Sequence, residues 1–580
     1  ANHIELSDGS LIANSIALGS GEGGNLQITT DSLSVTEGAQ INSLISPLGR
    51  GNLGNLVINA SGDIVIDGTD PVQPVIRSVI GNSVGLEAQG NAGDLIITAE
   101  SLTVSNGAAL DSSTFGIGNA GNIIIDVQNH TLFAGTDSGL INTTVLSSVT
   151  PAGQGQAGDV QLTTGTLSVT DGAVLASATF SQGDAGNVII NVEEEAVFDG
   201  VGMLSRSEAS SEVGLGAQGN AGDVRISTGE LTVSNGATLE SSTAGSGDAG
   251  DVIIEAQGHV IFDGSDPSGR FSSRATSQVS TNMARGNGGD IKIFANTLDI
   301  TNGAELLAST AGMGDAGDVI IVLTDEATLN NGSIFVASES DSQAGNIDIS
   351  ASNIQLENNS ILSAESATVN GGNIFLDSDN LLLLRNNSLI TATAGTAQGA
   401  GNGGNIDISA PYIIAISTEN SDIIANAFEG DGGQVNITAQ GVFGIEPRPQ
   451  LTSRSDITAS SEQGVSGIIV LNSPDNSFIE NSLSELPDVL TNPDTLVANS
   501  CVARGQQAGG TFTTTGSGGL PVSPADSQIA TYATGNIQPL VDESNQVNNT
   551  APWQSGTAIT EPSGIYYTAD GRLIMGRDCF

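Results

Sequence analysis

One lysine (Lys292), two cysteines and 3 % aromatic residues are a thin supply for 580 residues. Lys and Arg together number 14 against 64 Asp and Glu, a formal net charge of −50. Nucleic-acid binding needs a basic footprint, so that class is excluded. Strong acidity instead keeps a repetitive β protein soluble and its copies apart. The scarcity of aromatics argues against a globular core of ordinary thickness and fits a thin column of Val, Ile, Leu and Ala. Both cysteines lie near the C-terminus, which suggests an extracytoplasmic chain with at most one bridge. No run of 18 apolar residues offers a membrane-spanning helix. There is no signal peptide and no initiator Met. The pattern is already under way at Ile4 and Leu6 with no polar cap before it, so the chain reads as a piece of a longer precursor.

What the chain has is a repeat. Gly219–Thr243 reads GNAGDVRISTGELTVSNGATLESST, and Gly93–Thr114 and Gly158–Thr179 are versions of it. A marker glycine precedes each unit's first strand about fifteen times, from Gly24 to Gly467, and in thirteen units the next residue is Asn or Asp. A strand of period 2 follows, as in Val224-Arg225-Ile226, with one buried and one wet face. A second short strand (Leu231-Thr232-Val233) leads to an Asn-Gly or Asp-Gly turn, whose residues tolerate positive φ. A third strand ends in Ser-Ser-Thr. No such unit closes a core alone, but stacked units pile equivalent aliphatics into shared columns. The Asn/Asp column either forms a ladder between coils or caps each coil's own turn.

The spacing predicts an all-β parallel helix of about 15 coils over residues 1–472, with a two-coil genetic repeat of about 65 residues. Marker intervals of 28 alternate with intervals of 36–39, because every second coil carries an insertion after Asp67-Gly68, Ala134-Gly135, Asp199-Gly200 and Asp263-Gly264. Leu381 to Leu384 reads as buried strand. Glu446-Pro447-Arg448-Pro449 reads as a break, since Pro cannot donate to a ladder. Residues 473–580 form a small irregular module with eight of the sixteen prolines. Within it Cys501 and Cys579 are the candidate disulfide, two free thiols being the alternative, and Gly564 to Met575 reads as a hairpin with an Asp-Gly turn.

These rungs resemble the filamentous-haemagglutinin-like exoproteins of two-partner secretion, in the form common in cyanobacteria. Asn499-Ser500-Cys501-Val502-Ala503, followed by Gly518-Gly519-Leu520-Pro521-Val522-Ser523-Pro524, looks like that group's C-terminal signature. The resemblance spans essentially the whole chain. It implies a right-handed β-helix, an outer-membrane transporter as partner, and a secreted or cell-surface product acting as an adhesin or matrix component. The family's N-terminal secretion domain is not evident here.

A catalytic group should break the repeat, and the sequence shows no convergent set of acids such as glycoside hydrolysis needs. The expectation is a protein without catalytic residues, the alternative being a polysaccharide lyase or hydrolase on the same fold. No metal site and no cofactor is expected; Ca²⁺ between carboxylates is the one open option, though the tandem calcium nonapeptide is absent. His130 and His259 occupy equivalent positions four rungs apart, roughly 19 Å, too far to share a metal. Lys292 reads as a solvated outward side chain. An autotransporter passenger would need a C-terminal barrel, for which 108 residues after Asn472 are too few. The insertions are the best binding candidates. Arg77, Arg206, Arg270, Arg274 and Arg285 are assigned to them as a ridge for acidic glycans or a host or cell surface, against a plainer role of offsetting local acid.

Overall fold

The computed structural model describes residues 1–474, apart from 136–140, 204 and 340, together with three short strands at 538–539, 564–567 and 573–576. Contacts divide the chain into Ala1–Asn476 and Ser477–Phe580. In the second unit Gly564–Tyr567 and Leu573–Gly576 pair antiparallel, as the hairpin reading expects. Cys501, Cys579 and the Asp570-Gly571 turn lie outside the described residues.

The first unit is an all-β solenoid of about fifteen turns whose strands pair in parallel with the equivalent strand one coil away. First and second strands of successive coils share one sheet and third strands build the other. Val224–Thr228, Glu230–Ser234 and Thr238–Thr243 make one coil. Alternation decides which way each side chain faces: Val224 and Ile226 are fully buried, while Arg225 between them is not. The same holds for the leucine run, where Leu382 and Leu384 are buried and Leu381 and Leu383 half-exposed, so that stretch is an alternating strand and not one buried throughout.

The main core is a continuous column of aliphatic side chains with three fully buried phenylalanines, beside a small separate cluster of Ile16, Ile45, Leu53, Val84 and Ala88. On the second strand the inward register runs Val104, Phe133, Val169, Phe198, Val233, Phe262, Ile300. The third-strand column answers in volume: Leu175, Ala209, Leu239, Ala275, Leu306. Alanine stands in the coils of Phe198 and Phe262, and leucine in those of Val169, Val233 and Ile300. The two-coil genetic repeat is thus written in core packing, where a constant total volume is what close packing demands.

Side-chain ladders hold the coils in register. From Asn25 to Asn373 each marker Asn or Asp accepts, through Oδ1, the backbone N–H of its counterpart one coil on, the last being that of Asn405, at 2.7–3.1 Å and without a gap. The inter-coil ladder, not the private cap, is the arrangement found. Asn187→Ala removes the acceptor for the Asp223 N–H. We expect it to cost about 1–3 kcal/mol, read from the urea midpoint, with loss of amide protection centred on Asp223.

A second ladder lies three residues earlier, in the runs Asn52–Gln156, Asp184–Gln343 and Asn370–Val465, at 2.8–3.0 Å. Inside the coil runs a third column. Ser147, Ser177, Ser211, Ser241 and Ser277 each donate to the carbonyl of their own coil's marker glycine and accept the N–H of the next coil's marker glycine, at 2.7–3.0 Å. Beyond Glu305 the third strand shortens from six residues to three, as in Glu305–Leu307. There a third-strand carbonyl, such as Ala308 or Ala364, takes over from the serine and accepts the marker N–H directly.

The Asn-Gly turns have both residues at positive φ, as at Asn235 (52°) and Gly236 (90°). In the longer coils Asp199 and Asp263 reach forward to bond the turn residues Asn235 and Asn302 of the next coil. At the C-terminal end Glu446–Pro447 pairs only at the edge of the third-strand sheet, where a proline is tolerated. No helix among the described residues is long and apolar enough to cross a membrane.

Candidate functional site

The insertions after Gly68, Gly200 and Gly264 replace the Asn-Gly turn between second and third strands, and each closes on itself through a single bridge: Thr69 to Arg77, Val201 to Arg206, Ser265 to Ser272. A serine pins its exit. The Ser207 hydroxyl donates to the Asp199 carbonyl at 2.6 Å and accepts the Gly172 N–H at 3.0 Å, and Ser78 and Ser273 do the same in their coils. The longer coils also extend the loop after the third strand, a second insertion that interval counting did not separate from the first. Arg285 belongs to that loop, in a column between Ser246 and Met313, and not to the insertions assigned to it.

The five arginines therefore separate. The Arg77 guanidinium donates to the Ala108 and Asn142 carbonyls and the Thr144 hydroxyl, at 2.9, 3.1 and 2.6 Å, tying its insertion to the coils that follow. Burial lowers its pKa, and burial raises that of the nearby Asp111. Arg206, Arg270 and Arg274 do come together. Arg206 and Arg270 lie over the Phe271 ring at 4.6 and 4.9 Å, and Arg274 approaches Glu240 at 3.6 Å.

The same patch gathers acids that do not belong to the turn repeat. Stacking sets Glu208 beside Thr238, Ser210 beside Glu240 and Glu212 beside Ser242. One coil further, Arg274 stands beside Thr238, with Glu305 beside Arg274. Glu240 is thus the diagonal neighbour of both Glu208 and Glu212, about 7–8 Å between Cα atoms. Burial first, then the charges of Glu240 and Glu212, push Glu208 up to about 8. Burial and Glu240 raise Glu212 as well. Burial, then Arg274, bring Arg206 down to about 10. Thr238 and Thr276, both fully buried on this face, have hydroxyls without a hydrogen-bond partner. Four glutamates against three arginines make a mixed patch and not a cationic ridge. A carboxyl that stays protonated near neutrality can give and take a proton.

Sequence reading missed Glu208, Glu212 and Glu240 as a group because Glu240 lies one coil on from the strand that carries the other two. Aligning third strands would have found them, since the preceding coil has Val174, Ala176 and Ala178 at those outward positions. The remaining candidates have structural partners. His130 and His259 each bond through Nδ1 to the threonine one coil on, Thr166 and Thr297. Lys292 is not merely solvated: it reaches Asp251 at 2.6 Å and Asp290 at 3.0 Å, members of the Asn/Asp ladder. Burial works against its charge, but the hydrogen bonds to these two aspartates outweigh it and raise the pKa. Among the described residues no group of three or more His, Cys, Asp or Glu is disposed to hold a metal ion.

The chain matches no protein-family model, no curated protein and no solved structure.

Proposed function

We propose that the chain is part of a secreted or surface-held exoprotein of the filamentous-haemagglutinin type, delivered by an outer-membrane two-partner-secretion transporter. It works as an adhesin or matrix component by presentation: a stiff stack holds loop surfaces away from the cell. The observation that supports this reading is the unbroken inter-coil ladder from Asn25 to Asn405, which fixes each coil to the next in a regular repeat. No catalytic residue, nucleic-acid partner or cofactor is part of the proposal. Antibody against the chain, applied to intact source cells, tests it. Labelling before permeabilisation is expected, with loss of cell or surface attachment on deletion of the chain; labelling only after permeabilisation overturns it.

A second reading, a polysaccharide-active enzyme, is favoured by one observation, the Glu208–Glu212–Glu240 group with Arg206 and Arg274 beside it. Release of new reducing ends or unsaturated ends from soluble polysaccharides, abolished by Glu240→Gln, would establish it. Equal and negligible release by both proteins would remove it.

A further inference from the structure

The last coils carry a groove of about 670 Å³ that runs along the surface from Gln343 to Ile468. Its cause is local. In earlier coils the residue before the marker glycine is mostly alanine, as in Ala185-Gly186 and Ala221-Gly222. Here it becomes glycine: Gly371-Gly372, Gly403-Gly404 and Gly432-Gly433. A Cβ at Gly371, Gly403 or Gly432 would lie 2.5, 2.5 or 2.3 Å from the carbonyl oxygen of Ala392, Ala425 or Ala459. The backbone is drawn in against the third strand, and the surface is hollowed where it retreats.

The two Asn/Asp ladders form the walls. Asn370, Asn402 and Asp431 stand on one side, Asn373, Asn405 and Gln434 on the other, so one polar pair faces the groove per coil. Asp431 is the one charged lining side chain, in a chain with 64 acids. Backbone donors are already engaged: the N–H groups of Asn402 and Asp431 by the ladder, those of Gly403 and Gly404 by carbonyls. An added peptide strand needs free backbone groups at a sheet edge, which this face does not offer. The ladder already uses the Oδ1 atoms of Asn370, Asn373 and Asn402; their Nδ2 groups still have an N–H to donate to a hydroxyl, and the Asn405 amide can both donate and accept. Five coils span about 19 Å at the inter-strand spacing, so an elongated ligand meets a repeated set of such groups.

We propose that this groove binds an uncharged, hydroxyl-rich oligosaccharide laid along the coil axis. It deepens the presentation reading and rests on it for biological use, while the binding itself does not depend on where the protein is located.

Titration calorimetry on the whole chain tests it, with cellohexaose, laminarihexaose and mannohexaose as neutral probes and oligogalacturonate as the acidic one. At least one neutral hexasaccharide is expected to bind, and more tightly than the acid. Asn405 is suited to substitution, because among the described residues no hydrogen bond reaches its side chain. Asn405→Trp fills the groove and should weaken binding at least tenfold. The gentler pair Asn405→Ala and Gln434→Ala should weaken it several-fold with the circular-dichroism spectrum unchanged. No binding by any neutral probe, preference for the acid, or unchanged affinity in both variants overturns the proposal. Binding as expected by a chain that never reaches the cell surface would instead sink the adhesin reading and leave the groove standing.

Discussion

Gly183→Ala should destabilise the stack by more than about 4 kcal/mol, whereas Gly264→Ala, also at positive φ, should cost only about 1 kcal/mol. Gly183 has φ of 129° and a Cβ built on it falls 1.6 Å from the Gly155 carbonyl oxygen; Gly264 has φ of 72° and nothing within 4 Å. The first substitution meets a conformation that L side chains avoid and a collision with the backbone of the coil before. The second meets only the conformational cost. Gly183 is one of a column, with Gly90, Gly118, Gly155, Gly219, Gly247, Gly286 and Gly314, each lying against the glycine carbonyl one coil back. Coils touch only their neighbours, so the damage should centre there: amide protection should fall first in the strands on either side of residue 183. Urea midpoints and hydrogen exchange read both effects. Equal costs for the two variants would show that the coils can part at this corner.

The second expectation concerns pH. The Glu208 carboxyl is held at about 8 in the folded chain against its ordinary value of 4.5. The folded state therefore keeps a proton that the unfolded chain releases between these values, and stability falls as pH rises through that window. The stabilisation is fully present below about 4.5 and gone above about 8. Its size is on the order of 3–5 kcal/mol as an upper limit, since each tenfold change in proton affinity is worth about 1.4 kcal/mol and Glu208 is only half-buried. Free carboxyl groups ionise near pH 4, so the comparison belongs between pH 6 and 9. There the wild type should lose stability progressively, most visibly as faster exchange in Glu208–Val213. Glu208→Gln, neutral throughout, should stay flat and be the more stable protein at pH 9. A parallel slope in the variant would mean that Glu208 is solvated and titrates normally.

Much of this fold was legible because its grammar is local. A marker glycine, an Asn or Asp, two alternating strands and an Asn-Gly turn each follow from backbone preference or side-chain period, and repetition made them unmistakable. The internal serine column was hidden for the opposite reason. Ser177 and Ser211 sit at inward positions where the pattern asks for an aliphatic, and only the stack reveals the marker N–H each one meets. The outer Asn/Asp column escaped because Gln156 and Gln343 interrupt it. For the candidate site, spacing grouped the arginines by loop, but the loops are separated along the axis, and Arg285 lies in a different loop. Glu240 and Glu305 join Glu208 and Glu212 from later coils, so their meeting is a property of register and not of any motif.

The marker ladder has a direction. In every one of its steps the oxygen belongs to the earlier residue and the N–H to the later one, from Asn25 and Asn55 to Asn373 and Asn405. A chain that becomes free to fold amino end first therefore lays down each template before the segment that copies it arrives. Growth in that order always finds a prepared surface; growth from the carboxyl end would offer only donors with nothing yet to receive them.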